Sequence, residues 1–271
     1  MPQPPVHIKN FRSNLSEIRR LVDIHTEVAG TGVGYKANVE VLNKSAIVLL
    51  VACWEAFVED LATAAFTFML GEAPAPASFP QRVLTLSTAT LREAPDAREI
   101  WKLAGDGWRQ VLKNHQSKVT QQLVGKLNTP RPKQVDEIFD QMIGLKALSS
   151  KWSWKGMPNA KAVARLDRLV TLRGEIAHRV ATSRGVRKAF VTQHSEFVIR
   201  LCAISSNRVR DHVHANIGKA PWSVYGFGKT RCPARESCGH LTTRWSRPGQ
   251  PRFAISCDTS HGWPGGSSRG R

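Results

Sequence analysis

The stretch that most constrains the fold is the middle of a long helical pattern over residues 39–70. Within residues 46–61, only Glu55, Glu59 and Asp60 interrupt the apolar residues. A helix that is apolar on all sides is surrounded by other helices. The uninterrupted apolar run, residues 46–54, is too short to span a bilayer. The pattern therefore predicts the central helix of a bundle, in a cytoplasmic protein with no membrane partner.

The other segments predict helices that would surround this one. Apolar residues recur at three- and four-residue steps in five further segments: 6–29, 97–127, 135–148, 159–181 and 186–217. No segment before residue 218 shows the alternation typical of a strand. We therefore predict an all-α helical bundle over residues 1–218, with Asn159 capping the helix that it precedes.

Charge sets this chain apart from an ordinary globular protein. Lys and Arg total 39 against 21 Asp and Glu, a formal net charge of +18, which favours a polyanionic partner: RNA, DNA or an anionic membrane surface. Charge alone does not choose among these. Residues 219–271 lose all apolar periodicity, and we predict that they form a disordered basic tail.

The five cysteines do not indicate a metal site. Cys53 and Cys202 fall inside apolar helical patterns, which predicts small buried hydrophobic residues in a reducing compartment. The cysteines and histidines of residues 219–271 do not have the usual zinc-knuckle spacing. We therefore expect no metal and no cofactor.

Two side chains in the late helical segment are suited to chemistry on a phosphodiester. A histidine such as His178 can serve as base or acid, and Arg173 is a permanent cation that binds phosphate oxygens. Five residues of helix separate the two by about 140°, so they flank a face and do not share one. One protomer would supply only part of a site, whereas two copies related by a twofold axis would bring two such pairs together.

The spacing alone is not specific, because several other pairs satisfy a rule of four to six intervening residues. They include Arg20–His25, Arg109–His115, Arg187–His194, Arg208–His214 and Arg235–His240. Only Arg173 and His178 combine a late helical position with an apolar run before them and an Ile-Ala-His ending.

With these flanks, the Arg-x4-His motif resembles that of the HEPN superfamily. The segment 52–61, Ala-Cys-Trp-Glu-Ala-Phe-Val-Glu-Asp-Leu, is similar to the central helix of its RiboL-PSP branch. The resemblance covers roughly residues 8–217 as an architecture. It implies a HEPN-like bundle that acts as a metal-independent endoribonuclease, with a composite site in a homodimer. It also implies a role in toxin–antitoxin or phage-defence systems, with an antitoxin protein as a partner.

One departure from the family pattern leaves an alternative open. The family commonly has Asn, Asp or His directly after the arginine, whereas this chain has Gly174. The alternative is a non-catalytic module that binds RNA or a protein, and a third possibility is a helical interaction protein whose charge is incidental.

Three carboxylates are auxiliary candidates for the site. Glu55 and Glu59 are four residues apart and share a helix face, where they could bind metal or transfer protons. A solvated stripe or an interface ion pair is the favoured alternative. Glu175 precedes His178 by three residues and could simply pair with it.

Three cations are candidate RNA-binding residues. Arg179 follows the motif histidine directly, while Lys151 and Lys155 accompany Trp152 and Trp154 in a loop. These tryptophans could stack on bases, although packing of the loop onto the domain is the favoured interpretation.

Overall fold

The structure is a computed structural model that describes residues 4–30, 39–124, 130–179 and 185–226. Its α-helices are α1 (Val6–Ala29), α2 (Glu40–Glu72), α3 (Gln81–Ser87), α4 (Ala89–Arg92), α5 (Gly107–Val119), α6 (Pro132–Ile143), α7 (Asn159–Arg179) and α8 (Lys188–Ile217). Shorter 3-10 turns occupy Pro76–Ser78, Ala97–Leu103 and Leu148–Lys151, and a π turn occupies Thr120–Val124. These ranges contain no strand, so the all-α prediction is confirmed.

Helix α2 is the centre of the bundle. It packs against α1, α5, α6, α7 and α8, and the side chain of Trp54 is fully buried, with its indole N–H donating to the Pro130 carbonyl at 3.1 Å. Within the described ranges α2 is also the one helix long and apolar enough to cross a membrane, and half of that apolar window is buried inside the fold. Burial of α2 among neighbouring helices accounts for the predominance of apolar residues along it.

Polar contacts at the start of α2 fix the chain that leads into α8. The Asn43 amide donates to the Val186 carbonyl at 2.8 Å, and the Glu40 carboxylate accepts from the Val186 backbone N–H at 3.1 Å. Asn43 is buried, so its hydrogen bond satisfies a side chain that would otherwise be costly in the core.

Glycines divide the segment predicted as one helix over residues 97–127. Gly105 has a positive φ of 56°, which interrupts the helix between the 3-10 turn and α5. A Cβ at Gly107 would lie 2.1 Å from the Lys102 carbonyl oxygen, so only glycine fits there. Helices α3 and α4 occupy a stretch for which no element was predicted.

The Asn159 side chain differs in role from the predicted cap. Its amide nitrogen donates to the Ser149 carbonyl at 2.6 Å and to the Trp152 carbonyl at 3.3 Å. The side chain therefore ties the preceding loop to the start of α7.

Part of the predicted tail packs onto the helices. The Tyr225 hydroxyl accepts from Arg12 at 2.7 Å, and the Tyr225 backbone exchanges two hydrogen bonds with the Asn207 side chain at 2.8 and 2.9 Å. Residues 219–226 are thus held against α1 and α8. The rest of the predicted tail, residues 227–271, lies outside the described residues.

The two cysteines within the described ranges are buried and free, as predicted. Burial raises the pKa of the Cys53 thiol to about 11 and that of Cys202 well above its usual value. Both thiols therefore stay protonated and act as small hydrophobic residues.

Candidate active site at the end of helix α7

Helix α7 buries one stripe along most of its length, and Arg173 continues that stripe. Leu166, Leu169 and Val170 on this stripe are buried. Arg173 follows Leu166 by seven residues, so it lies within about 20° of it around the helix. Arg173 is half-buried, and Ala177 one turn later is exposed. The stripe therefore becomes partly exposed at Arg173, although Ile176 beyond it is still buried.

Arg173 faces α2 near the predicted carboxylates. Burial raises the pKa of Glu55, and the positive charge of Arg173 opposes that rise. Burial also raises the pKa of Glu59, and the negative charges of Glu55 and Asp60 raise it further. Glu55 and Arg173 are therefore neighbours, although no close ion pair joins them. Within the described residues the Arg173 guanidinium has no hydrogen-bond partner, which leaves its N–H groups available for a ligand.

His178 lies on a different side of α7. It is exposed, as is Glu175, and these two side chains make no ion pair or hydrogen bond with each other. The pairing considered as an alternative for His178 is therefore absent. Arg173 and His178 remain about 140° apart, and one protomer does not bring them onto one face.

The surface between these two residues is open because Gly174 has no side chain. Gly174 lies about 100° around the helix from Arg173 and about 40° from His178. A Cβ built on Gly174 would meet nothing within 4 Å. The fold therefore does not require glycine here, and a polar side chain would occupy the gap between Arg173 and His178.

Burial distinguishes His178 from two of the other histidines that satisfy the Arg–His spacing rule. His115 and His194 are buried, and each bonds a backbone carbonyl at 2.9 Å, that of Gln141 and that of Phe190 respectively. Neither ring is placed to meet a substrate. By contrast, His214 on α8 is exposed, and it supplies a matched control for His178.

Lys151 and Lys155 are exposed but lie at the other end of α7 from Arg173 and His178. They precede the first turn of the helix, and fourteen residues from Asn159 to Arg173 span about 21 Å. Arg179 is the last residue of α7, and its side chain lies outside the described structure. The structure thus separates the predicted RNA-binding lysines from the predicted catalytic pair.

The two loop tryptophans pack onto the domain. Trp152 is fully buried, and its indole N–H donates to the Ser205 hydroxyl at 2.9 Å. Trp154 is half-buried, with its ring 6.0 Å from that of Phe197. Trp152 is therefore excluded from base stacking, in agreement with the favoured interpretation.

Helix α7 carries a second set of cations, which were not among the candidate residues predicted from the sequence. Lys161, Arg165 and Arg168 have the i, i+4, i+7 spacing of one helix face. That spacing was a usable signal for a charged stripe.

No group of three potential metal ligands occurs among the described residues.

Comparison with known proteins identifies the family. The family model described as RiboL-PSP-HEPN matches residues 9–210, a range that includes α2 and the whole of α7. No curated protein and no solved structure matches the chain significantly.

Proposed function

The chain belongs to the RiboL-PSP-HEPN family, and from this premise we propose that it is a metal-independent endoribonuclease. Membership of the family is consistent with a ribonuclease or RNA-binding function. The observation that carries the finer proposal is the position of Arg173. Arg173 lies where the buried apolar stripe of α7 becomes partly exposed, five residues before the exposed His178. Its guanidinium has no hydrogen-bond partner among the described residues.

The chemistry assigns a role to each side chain. One His178 would accept the proton of a 2′-hydroxyl as that oxygen attacks the adjacent phosphorus. A second His178 would donate a proton to the departing 5′-oxygen. Arg173 would stabilise the charge that develops on the phosphorane oxygens. The products would be a 2′,3′-cyclic phosphate and a 5′-hydroxyl, and no step requires a metal.

The proposed mechanism needs a homodimer, because each protomer carries one histidine and holds it away from its arginine. Exposed apolar residues on α2 support such a dimer. Val41 and Leu49 are 63% and 41% exposed, and Ala52 is also exposed. Helix α2 also carries Glu55, the neighbour of Arg173, so a second copy that covers these residues would lie on the helix beside half of the site.

Cleavage in EDTA tests the activity. We expect the purified protein to cut single-stranded RNA in EDTA and to leave cyclic phosphate ends. His178→Ala should abolish the cleavage, while His214→Ala, which removes another exposed histidine, should retain it. Circular dichroism and thermal unfolding would confirm that both variants fold. Cleavage by His178→Ala at the wild-type rate would refute the site.

Mixed dimers test the composite site. A dimer of one wild-type and one His178→Ala protomer keeps a single His178, so it should lose nearly all activity, because the proposed mechanism uses one histidine as base and the other as acid. Different affinity tags on the two protomers would isolate the mixed dimer. A mixed dimer that cleaves at half the wild-type rate or more would mean that each protomer works alone.

Gly174 favours a second candidate function, a non-catalytic RNA-binding or protein-binding module. The family's usual Asn, Asp or His is missing at this position, and the open surface there offers no replacement for it. Gly174→Asn discriminates between the two functions. If the variant cuts RNA and the wild type only binds it, the natural chain is a binding module.

In the role of a toxin or phage-defence component, the protein would need a partner that restrains it. We propose that an antitoxin protein would cover the surface around Arg173 and His178. A dimeric nuclease site that is open in the free protein is the simplest target for such an inhibitor.

A further inference from the structure

A line of basic side chains runs along α7 on the side that faces α8. Lys161 and Arg168 are exposed, and Arg165 between them is half-buried. The steps along the helix axis are about 6 Å and about 4.5 Å. Neither Lys161 nor Arg168 has an ion-pair partner in the described part of the chain, so their charges face solvent.

Aromatic rings from the neighbouring elements hold two guanidinium groups in place here. The Arg165 guanidinium carbon lies 4.8 Å from the centre of the Phe197 ring, and this side chain also donates to the Gln193 carbonyl at 2.9 Å. The guanidinium carbon of Arg200, on α8, lies 5.8 Å from the Trp154 ring centre. Stacking on a ring fixes a guanidinium while it leaves edge N–H groups for a ligand.

The cations are close enough to act on one another. Burial lowers the pKa of Arg165, the charge of Arg168 lowers it further, and only Glu196 among the named causes raises it. The pKa of His194 is lowered to about 4, mainly by burial. The charges of Arg165 and Arg168 also lower it, whereas the hydrogen bond to the Phe190 carbonyl raises it. The free protein therefore concentrates positive potential that a bound polyanion would relieve.

We define the α7 track by its four cations: Lys161, Arg165, Arg168 and Arg200. We propose that the α7 track binds successive phosphates of a single-stranded RNA and guides the strand along α7 toward His178. The predicted RNA-binding residues Lys151 and Lys155, which stand before the first turn of α7, would then contact the same strand at the far end. The identity of the polyanion as RNA rests on the proposed function.

A linear polyanion fits this surface better than an acidic protein does. Three of the four cations of the α7 track, Lys161, Arg165 and Arg168, follow one another along a helix axis, and the backbone of a nucleic acid is a series of anions along a strand. These three lie on the helix that carries Arg173 and His178, whose proposed chemistry requires a 2′-hydroxyl. The two surfaces would act on one ligand.

Binding measurements test the track without cleavage. The full chain with His178→Ala would be titrated against a labelled single-stranded RNA of about 20 nucleotides, longer than the usual site size, over a series of KCl concentrations. Adding Lys161→Gln and Arg168→Gln removes two phosphate contacts. We expect a several-fold loss of affinity and a slope of log K against log salt that is shallower by about 1.4.

A charge-matched control separates the track from the general effect of a basic protein. Lys9→Gln with Arg19→Gln removes one lysine and one arginine from the exposed side of α1. This pair should leave affinity and slope near the values of the His178→Ala parent. The proposal is overturned if the track variant binds RNA as tightly as that parent does. It is also overturned if the α1 variant loses as much affinity as the track variant. An acidic protein would then be the better ligand for these cations.

Failure of the track can be told apart from failure of the nuclease. Cleavage by the wild type, together with undiminished binding by the track variant, would overturn the track alone. Loss of binding in the track variant, together with no cleavage by the wild type, would support the track and overturn the nuclease. A wild type that does not bind RNA at all overturns the track, and the cleavage assay then decides the proposed function by itself.

Discussion

Arg173 and Glu55 are neighbours across the contact between α7 and α2, yet burial governs the state of the carboxyl. Burial raises the pKa of Glu55 above the ordinary value of 4.5, and the charge of Arg173 only opposes this rise. A strong salt bridge would have had the opposite net effect. Because no strong salt bridge to Glu55 engages it, the Arg173 guanidinium is available to bind a phosphate.

The raised pKa of Glu55 predicts a pH dependence of stability. The folded chain binds the Glu55 proton more tightly than the unfolded chain, so the free energy of unfolding falls as pH rises through about 4.5 and above. Glu55→Gln carries no charge, and we expect it to raise the free energy of unfolding at neutral pH by less than about 1 kcal/mol, since the group is partly solvated. Urea unfolding between about pH 4 and pH 7 measures this, with the exposed Glu175→Gln as the unchanged control. A less stable Glu55→Gln protein at neutral pH would contradict it.

Gly174→Ala should stabilise the protein. The new Cβ meets nothing within 4 Å, and alanine is favoured over glycine in a helix interior by about 1 kcal/mol. Gly144→Ala is the opposite case, because Gly144 has a φ of 70° and its Cβ would lie 2.5 Å from Pro80 Cβ. We expect urea unfolding to show a gain of about 1 kcal/mol for the first variant and a loss for the second. A loss in both would mean that the end of α7 needs its glycine.

Trp152→Phe should destabilise the fold through a lost hydrogen bond. The Trp152 indole N–H donates to Ser205 Oγ, and both residues are buried. Removing the donor leaves a buried hydroxyl without its partner, at a cost of about 1–3 kcal/mol. Trp101 is 74% exposed, so Trp101→Phe should change the free energy of unfolding by less than about 0.5 kcal/mol. Equal effects of the two substitutions on thermal unfolding would contradict the packing described for Trp152.

His7 predicts loss of stability in mild acid. Burial lowers its pKa from 6.5 to about 4, and its ring bonds the Ser206 hydroxyl at 2.9 Å. The contribution of neutral His7 is complete above about pH 6.5 and is lost as pH falls toward 4, an effect on the order of 3 kcal/mol. The free energy of unfolding should therefore fall less between about pH 7 and pH 5 in His7→Gln than in the wild type. The exposed His214→Gln should keep the wild-type dependence, and identical slopes in all three proteins would argue against a buried neutral His7.

Periodicity predicted the long helices well because it records which side of a helix is buried. The limits of α1, Val6–Ala29, agree with the sequence prediction, and α2 begins and ends within two residues of its predicted limits. The short helices α3 and α4 were missed, since four or seven residues contain too few turns to show a period. The division at Gly105 rests on its left-handed backbone conformation, which the apolar periodicity of the segment does not record.

Residue type alone could not tell which side chains the site would bring together. Trp152 and Trp154 look alike in sequence beside their lysines, yet Trp152 lies in the core and Trp154 lies partly at the surface. Lys151 and Lys155 were grouped with Arg179 by chemistry, whereas α7 places them at its opposite end. Position around and along a helix decides such groupings once the bounds of that helix are known.

The sequence by itself determined the all-α fold, the central place of α2 and the motif of Arg173 and His178, because local periodicity and local spacing encode them. Only the tertiary structure decided that Arg173 lies near Glu55, that His115 and His194 are buried, and that Arg165 stacks on Phe197 in the α7 track. These contacts join residues far apart in the chain. They depend on how amphipathic helices pack against one another, which the spacing within any one helix does not specify.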